Sequence, residues 1–190
     1  MIMGQYYKGI NLDKREFIKP HDYGNGAKLM EHSYIENTLL DTVEHLFSPK
    51  GHWHKTRFVW AGDYMDEGLF IEPLAQKGNI RALFPKEDTL YEYASEHFKT
   101  ISEKKSYDPT LRFIVNHTKK EYVDKEKVRT GEYDMKIHPL PLLTSSGNGR
   151  GGGDYHDDSS PYVGSWAGDV ISMETSIPDG YKEIVPDFLE

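Results

Sequence analysis

Asn11-Leu12-Asp13-Lys14-Arg15-Glu16-Phe17-Ile18 returns later in the chain as Asn116-His117-Thr118-Lys119-Lys120-Glu121-Tyr122-Val123, the shared pattern being Asn-x-x-Lys-basic-Glu-aromatic-β-branched. Apolar runs precede both copies, around Tyr6 to Ile10 and over Leu111-Arg112-Phe113-Ile114-Val115. Each copy therefore reads as strand, polar turn, strand, because an asparagine at the first turn position bonds its own backbone and tolerates unusual dihedrals. Downstream, each half reaches a second shared anchor, Gly51-His52-Trp53 and Gly164-Ser165-Trp166. The pattern predicts an internal duplication and an α+β fold of two related, mainly antiparallel β halves built on hairpins. A rival alignment matches Trp60-Ala61-Gly62-Asp63 to Trp166-Ala167-Gly168-Asp169, and both registers stay open on the sequence.

Two principal helices are expected. Ile35, Leu39, Leu40, Val43, Leu46 and Phe47 recur at helical spacing over about 35–47, ended by Ser48-Pro49 and Gly51. Thr89 and Glu92 form a capping-box pattern that starts a helix over about 89–102. The second half reads as replacing the long helix with Leu142-Leu143 and a glycine block, while Arg57 to Trp60 and Val170 to Met173 read as strands after the Gly-x-Trp anchors. On this reading residues 1–190 form a single compact domain. It divides into a first half of about 4–70, a connector with its helix of about 71–108, a second half of about 109–177, and an acidic tail, 178–190, along the surface.

Only 37% of residues are hydrophobic, below the usual range, but 13% are aromatic, so burial leans on Tyr, Phe and Trp. Trp53, Trp60 and Trp166 read as core anchors. A net charge of −8 opposes approach to nucleic acid and to anionic membranes. The one basic run, Lys119, Lys120, Lys125 and Lys127, alternates with Glu121, Asp124 and Glu126 and reads as a solvated face. The absence of cysteine excludes disulfides, thiolate metal sites and thiol nucleophiles. No stretch approaches the ~20 apolar residues that span a bilayer, and the N-terminus carries no apolar signal core, so the expected location is the cytoplasm, with no membrane contact. Oligomeric state is not legible.

The most unusual local composition runs from Ser145 to Asp158. Gly147, Gly149 and Gly152 formally satisfy Gly-x-Gly-x-x-Gly, yet Asp154, Asp157, Asp158 and Pro161 follow where a dinucleotide site needs a helix N-terminus. What remains is either a plain surface loop or a ligand-binding one. In the second case the backbone amides of Gly147, Asn148, Gly149, Arg150, Gly151, Gly152, Gly153 and Asp154, with the Arg150 guanidinium, suit a carboxylate or phosphate. No cofactor is needed for that role. The alternative is a zinc or other divalent-metal hydrolase: His52 and His54 share a face if they lie on a strand, and Asp154 with His156 has the same spacing. No Gly-x-Ser-x-Gly elbow is present to support a serine nucleophile.

Several segments together resemble small uncharacterised proteins encoded by bacteriophages and their bacterial hosts. They are Gly4-Gln5-Tyr6-Tyr7-Lys8 with Asn11, Lys14 and Glu16, Lys28-Leu29-Met30-Glu31, Trp60-Ala61-Gly62-Asp63-Tyr64, the glycine block from Gly147 to Tyr155, and Val163-Gly164-Ser165-Trp166. No activity is established for that group, so the resemblance carries over no catalytic residue. It implies an origin in a mobile genome and residence in the host cytoplasm. The leading expectation is then a non-enzymatic binding protein acting stoichiometrically on a host protein or an anionic small molecule.

Overall fold

Asn11 builds the first hairpin by using its side chain as a template for the turn. Its Oδ1 accepts the backbone N–H groups of Asp13 and Lys14 at 3.2 and 2.9 Å, Arg15 takes a φ of 53°, and the chain returns from β1 (Tyr7–Asn11) as β2 (Glu16–Ile18). Asn116 does the same between β5 (Phe113–Asn116) and β6 (Glu121–Asp124). It accepts from Thr118 and Lys119 at 2.9 and 3.0 Å, and Lys120 has a φ of 55°. A computed structural model of the chain describes residues 5–65, 89–130, 134–147 and 160–188. These form an α+β fold around a nine-stranded, mainly antiparallel mixed sheet.

The remaining strands are β3 (Thr56–Gly62), β4 (Lys99–Thr100), β7 (Ser145–Ser146), β8 (Val170–Glu174) and β9 (Lys182–Glu183). Their order is β4-β2-β1-β3-β8-β5-β6-β9, with β7 alongside β3. The pairing reads the same from either end. At its centre β3 meets β8 antiparallel, with Arg57 opposite Val170. Outside lie β1 and β5, then β2 and β6, and last the parallel strands β4 and β9, where Lys99 faces Glu16 and Lys182 faces Glu121.

The hydrogen bonds of the tryptophans follow one of the two alignments. The Trp53 indole N–H donates to Glu16 at 2.6 Å and that of Trp166 to Glu121 at 2.9 Å. Asn11 Nδ2 donates to Thr56 Oγ1 at 2.7 Å, Asn116 Nδ2 to Asp169 at 2.8 Å, and each acceptor stands three residues after its tryptophan. Trp60 donates instead to His32 Nε2 at 2.8 Å, so the counterpart of Trp166 is Trp53. In the same alignment Lys55, at φ 56°, stands where the other half has Gly168, at φ 74°.

The helices are α1 (Leu29–His32), α2 (Thr38–Phe47), α3 (Leu90–His97) and α4 (Pro139–Leu143). Asn37 caps α2 by accepting from Leu39, and Thr89 with Glu92 forms the expected capping box of α3. Three expectations are corrected. The second half does carry a helix at the corresponding place, since α4 puts Pro139 and Pro141 in its first turn, where no intrahelical N–H is needed. The backbone N–H of Trp53 accordingly reaches Leu46 after α2, and that of Trp166 reaches Leu143 after α4. Helix α3 stops at His97 rather than near 102, because the next residues join the sheet: Lys99 N–H bonds Arg15 and Ile101 N–H bonds Phe17. Likewise, residues 178–188 do not run along the surface as a tail. They lay β9 beside β6 and bury Ile184 and Phe188.

One face of the sheet packs against α2 and α4 around all three tryptophans, each fully buried. Phe47, Trp53, Phe58 and Trp60 form a chain of ring contacts with centroids 5.0–5.8 Å apart. Gly9 makes room for it, since a Cβ there would come within 2.8 Å of Phe58 and Trp60. On the other face, α3 sets Leu90 and Ala94 over Ile10, Leu12, Val59 and Ala61. The expected solvated lysine run is also corrected in part. Lys125 is only 4% exposed and is gripped by Glu44, which also accepts from His138 at 2.8 Å. Burial alone would raise the Glu44 pKa, but its bonds to His138 and Lys125 outweigh that and hold it low.

Two outcomes follow from this architecture. Asn11→Ala and Asn116→Ala should each cost about 2 kcal/mol by denaturant unfolding, because two turn amides and a buried hydroxyl or carboxylate lose their partner together. His32 is neutral, donating from Nδ1 to Gly26 at 2.9 Å and accepting from Trp60, and burial pushes its pKa from 6.5 down to about 4. The unfolded chain therefore takes up the proton first, and stability present above pH 6.5 is lost as pH falls toward 4, by about 3 kcal/mol from this group. Asp41, raised to about 6, acts in the opposite sense, so the measurement is the difference between wild type and His32→Gln, whose amide keeps both bonds and flattens the acid slope.

Candidate functional site

The two halves treat the face away from α2 differently. Under the register fixed by the tryptophans, Leu12, Val59 and Ala61, which lie beneath α3, correspond to His117, Ser172 and Glu174. Where one half has three apolar side chains, the other has an imidazole, a hydroxyl and a carboxylate. They surround a small apolar cluster of Phe113, Val115 and Tyr122, against which Tyr181 packs.

These groups form one chain of hydrogen bonds. His54 Nε2 and Ser172 Oγ both lie 2.7 Å from Glu174 Oε1, His117 Nε2 lies 2.7 Å from Ser172 Oγ, and Tyr181 OH lies 2.9 Å from His117 Nδ1. Its direction follows from elementary accounting. A carboxylate only accepts, so His54 and Ser172 donate to it; Ser172 then accepts from His117 Nε2–H, leaving Nδ1 to accept from Tyr181. Ser172 is fully buried, while His54 and Glu174 keep 24% and 18% of their side-chain exposure. Burial lowers the His117 pKa, and the charge of Lys55 lowers it further. Lys55 itself is exposed, with neither a hydrogen bond nor an ion pair among the described residues.

The metal constellation expected from sequence is not assembled by its described members. His52 and His54 lie in the turn between α2 and β3, not on a strand, and their Nε2 atoms go to different carboxylates: Glu16 at 2.6 Å on β2 and Glu174 at 2.7 Å on β8. Their partners Asp154 and His156 lie outside the described residues. Among the described residues no group of three or more His, Asp or Glu is placed to hold a metal ion. Of the glycine segment only Gly147 is described. It ends β7 against Gln5 and Tyr7, where a Cβ would collide with both side chains. Asn148, Gly149, Arg150, Gly151, Gly152, Gly153 and Asp154 lie outside the described residues.

His54 is the only member of the chain that sequence reasoning singled out. The signal for His117 was nonetheless present: it is the residue that interrupts the apolar Leu12 column of the shared motif. Ser172 and Glu174 become conspicuous only when β8 is aligned to β3 through Trp53, since they then oppose valine and alanine.

At pH 7.5, 15N NMR should find His117 as the Nε2–H tautomer with a titration midpoint below that of an ordinary histidine; the Nδ1–H tautomer would reverse the direction of the chain. Comparison with protein-family models, curated proteins and solved structures finds no match for this chain.

Proposed function

We propose that this is a non-enzymatic binding protein that grips an anionic group, a phosphate or carboxylate carried by a small molecule or a host protein, with Lys55. The observation that carries this reading is Lys55. It holds a charge without a partner among the described residues, in left-handed backbone geometry, where the other half uses glycine. A non-glycine residue there costs roughly 1–2 kcal/mol, as at Arg15 and Lys120 in the hairpin turns, and what sets Lys55 apart is that the other half places glycine at the corresponding position. The hydrogen-bonded chain behind it fixes the imidazoles and holds Glu174 in place, so the cation acts from a stiff base rather than a mobile loop.

Binding is favoured over catalysis by the same accounting. Ser172 gives its proton to Glu174 and not to an imidazole, its oxygen is buried, and both His117 nitrogens are engaged, so the chain offers no nucleophile–base pair to a substrate. Arg150 and the glycine segment supply the same ligand chemistry in the sequence, and a stoichiometric role in host cytoplasm fits the phage resemblance.

Lys55→Gly separates structure from function. The variant should be more stable than wild type by about 1 kcal/mol, while the stabilisation that inorganic phosphate, acetate or nucleotides confer in thermal-shift titrations falls by at least about tenfold in apparent affinity. Equal anion responses from the two proteins would remove Lys55 and this reading with it.

A further inference from the structure

A second site, sharing no residue with the first, lies where the loop after α1 faces the start of the second half. A cavity of about 140 Å³ there is bordered by Glu36, Lys136 and Lys125, with Ile35, Tyr107 and Pro109 as its apolar wall. Its volume is well below the roughly 300–1,000 Å³ of sites for drug-sized ligands, so it suits a ligand of few heavy atoms.

The charges around it fall into two groups. Arg112 and Glu126 also border the cavity but are paired, Arg112 holding Asp124 through two bonds of 2.8 and 2.6 Å and Glu126 at 2.8 Å. Lys125 is buried; Glu44 takes one of its three N–H donors, and its ammonium stands 5.5 Å from the Tyr107 ring centroid. Glu36 and Lys136 are different. Both are exposed, and among the described residues neither has an ion-pair partner. They are also kept near each other, because Ile35 N–H bonds the Lys136 carbonyl at 2.9 Å and Tyr34 bridges Ile137. Among the described residues, then, a carboxylate and an ammonium border one small, partly apolar cavity without pairing across it.

We propose that this cavity binds a small zwitterion of the free α-amino acid class. Its ammonium would face Glu36, its carboxylate Lys136 and the remaining Lys125 donors, and its side chain the wall of Ile35, Tyr107 and Pro109. Such a ligand satisfies the Glu36 and Lys136 charges at once, which a simple anion or cation cannot do. The low volume selects side chains of alanine to valine size.

The test is a titration of the full chain, by calorimetry or ligand-observed NMR, with alanine and valine. N-acetylalanine, which lacks the ammonium, and alanine methyl ester, which lacks the carboxylate, serve as comparisons. Saturable binding of the free amino acids is expected, with each derivative weaker by at least about tenfold. Glu36→Gln should erase the discrimination against N-acetylalanine, and Lys136→Gln should reduce that against the ester to what Lys125 alone supplies; both positions are exposed, so folding is not at stake. Absence of saturable binding in wild type, or discrimination unchanged in both variants, would overturn the assignment.

Discussion

Everything in this sheet hangs on two buried asparagine carboxamides. Asn11 and Asn116 each satisfy two turn amides with the oxygen and reach across to the strand after the tryptophan with the nitrogen. One side chain thereby sets the turn and ties the hairpin to its neighbour. Because side chains alternate faces along a strand, a slip of one residue would turn every core residue outward, so a contact that fixes register fixes the whole burial pattern. The Trp53–Glu16 and Trp166–Glu121 bonds lock the same register from the helical side, each joining a buried indole to the first residue of a return strand.

Once the frame is set, the halves diverge by filling it differently. The first uses large rings on the α2 face, which forces Gly9 into β1; the second has Ile171 and Met173 in place of Phe58 and Trp60, and Ile114 then fits where Gly9 stood. On the opposite face the first half carries α3, anchored partly by Lys8, which lies 3.5 Å from the Tyr91 ring centroid and donates to Tyr91 O and Ser95. Burial there pushes the Lys8 pKa down to about 8. In the corresponding place over the second half lies a polar chain that runs from His54 of the first half to Tyr181. A side chain in a buried sheet face must pair all its polar atoms, which is why one imidazole brought with it a serine, a carboxylate and a tyrosine.

Much of the fold was legible because its determinants are local. Asparagine turns, the Thr89 capping box, the spacing of Leu39 to Phe47 and the burial of three tryptophans each depend on residues within a few positions of one another. The site was far less legible. His52 and His54 look like a pair because alternate residues share a strand face, but the segment is a turn, and a turn sends neighbouring side chains in unrelated directions. Lys125 looks solvated among alternating charges, yet it is carried inward to Glu44, a residue far back in the chain on α2. The acidic ending looked like a tail because two-residue parallel strands carry no periodic signal.

The sequence by itself determined two asparagine hairpins, a capped amphipathic helix, an aromatic-rich core and an α+β class, since each of these is written in short-range spacing. Tertiary structure alone decided that Trp53, not Trp60, answers Trp166, that β4 and β9 close the sheet, and that His54 is oriented by Glu174, 120 residues away. The physical reason is that partners in a buried polar network are chosen by which faces the sheet brings together. That choice follows from strand register, which no local window of sequence contains.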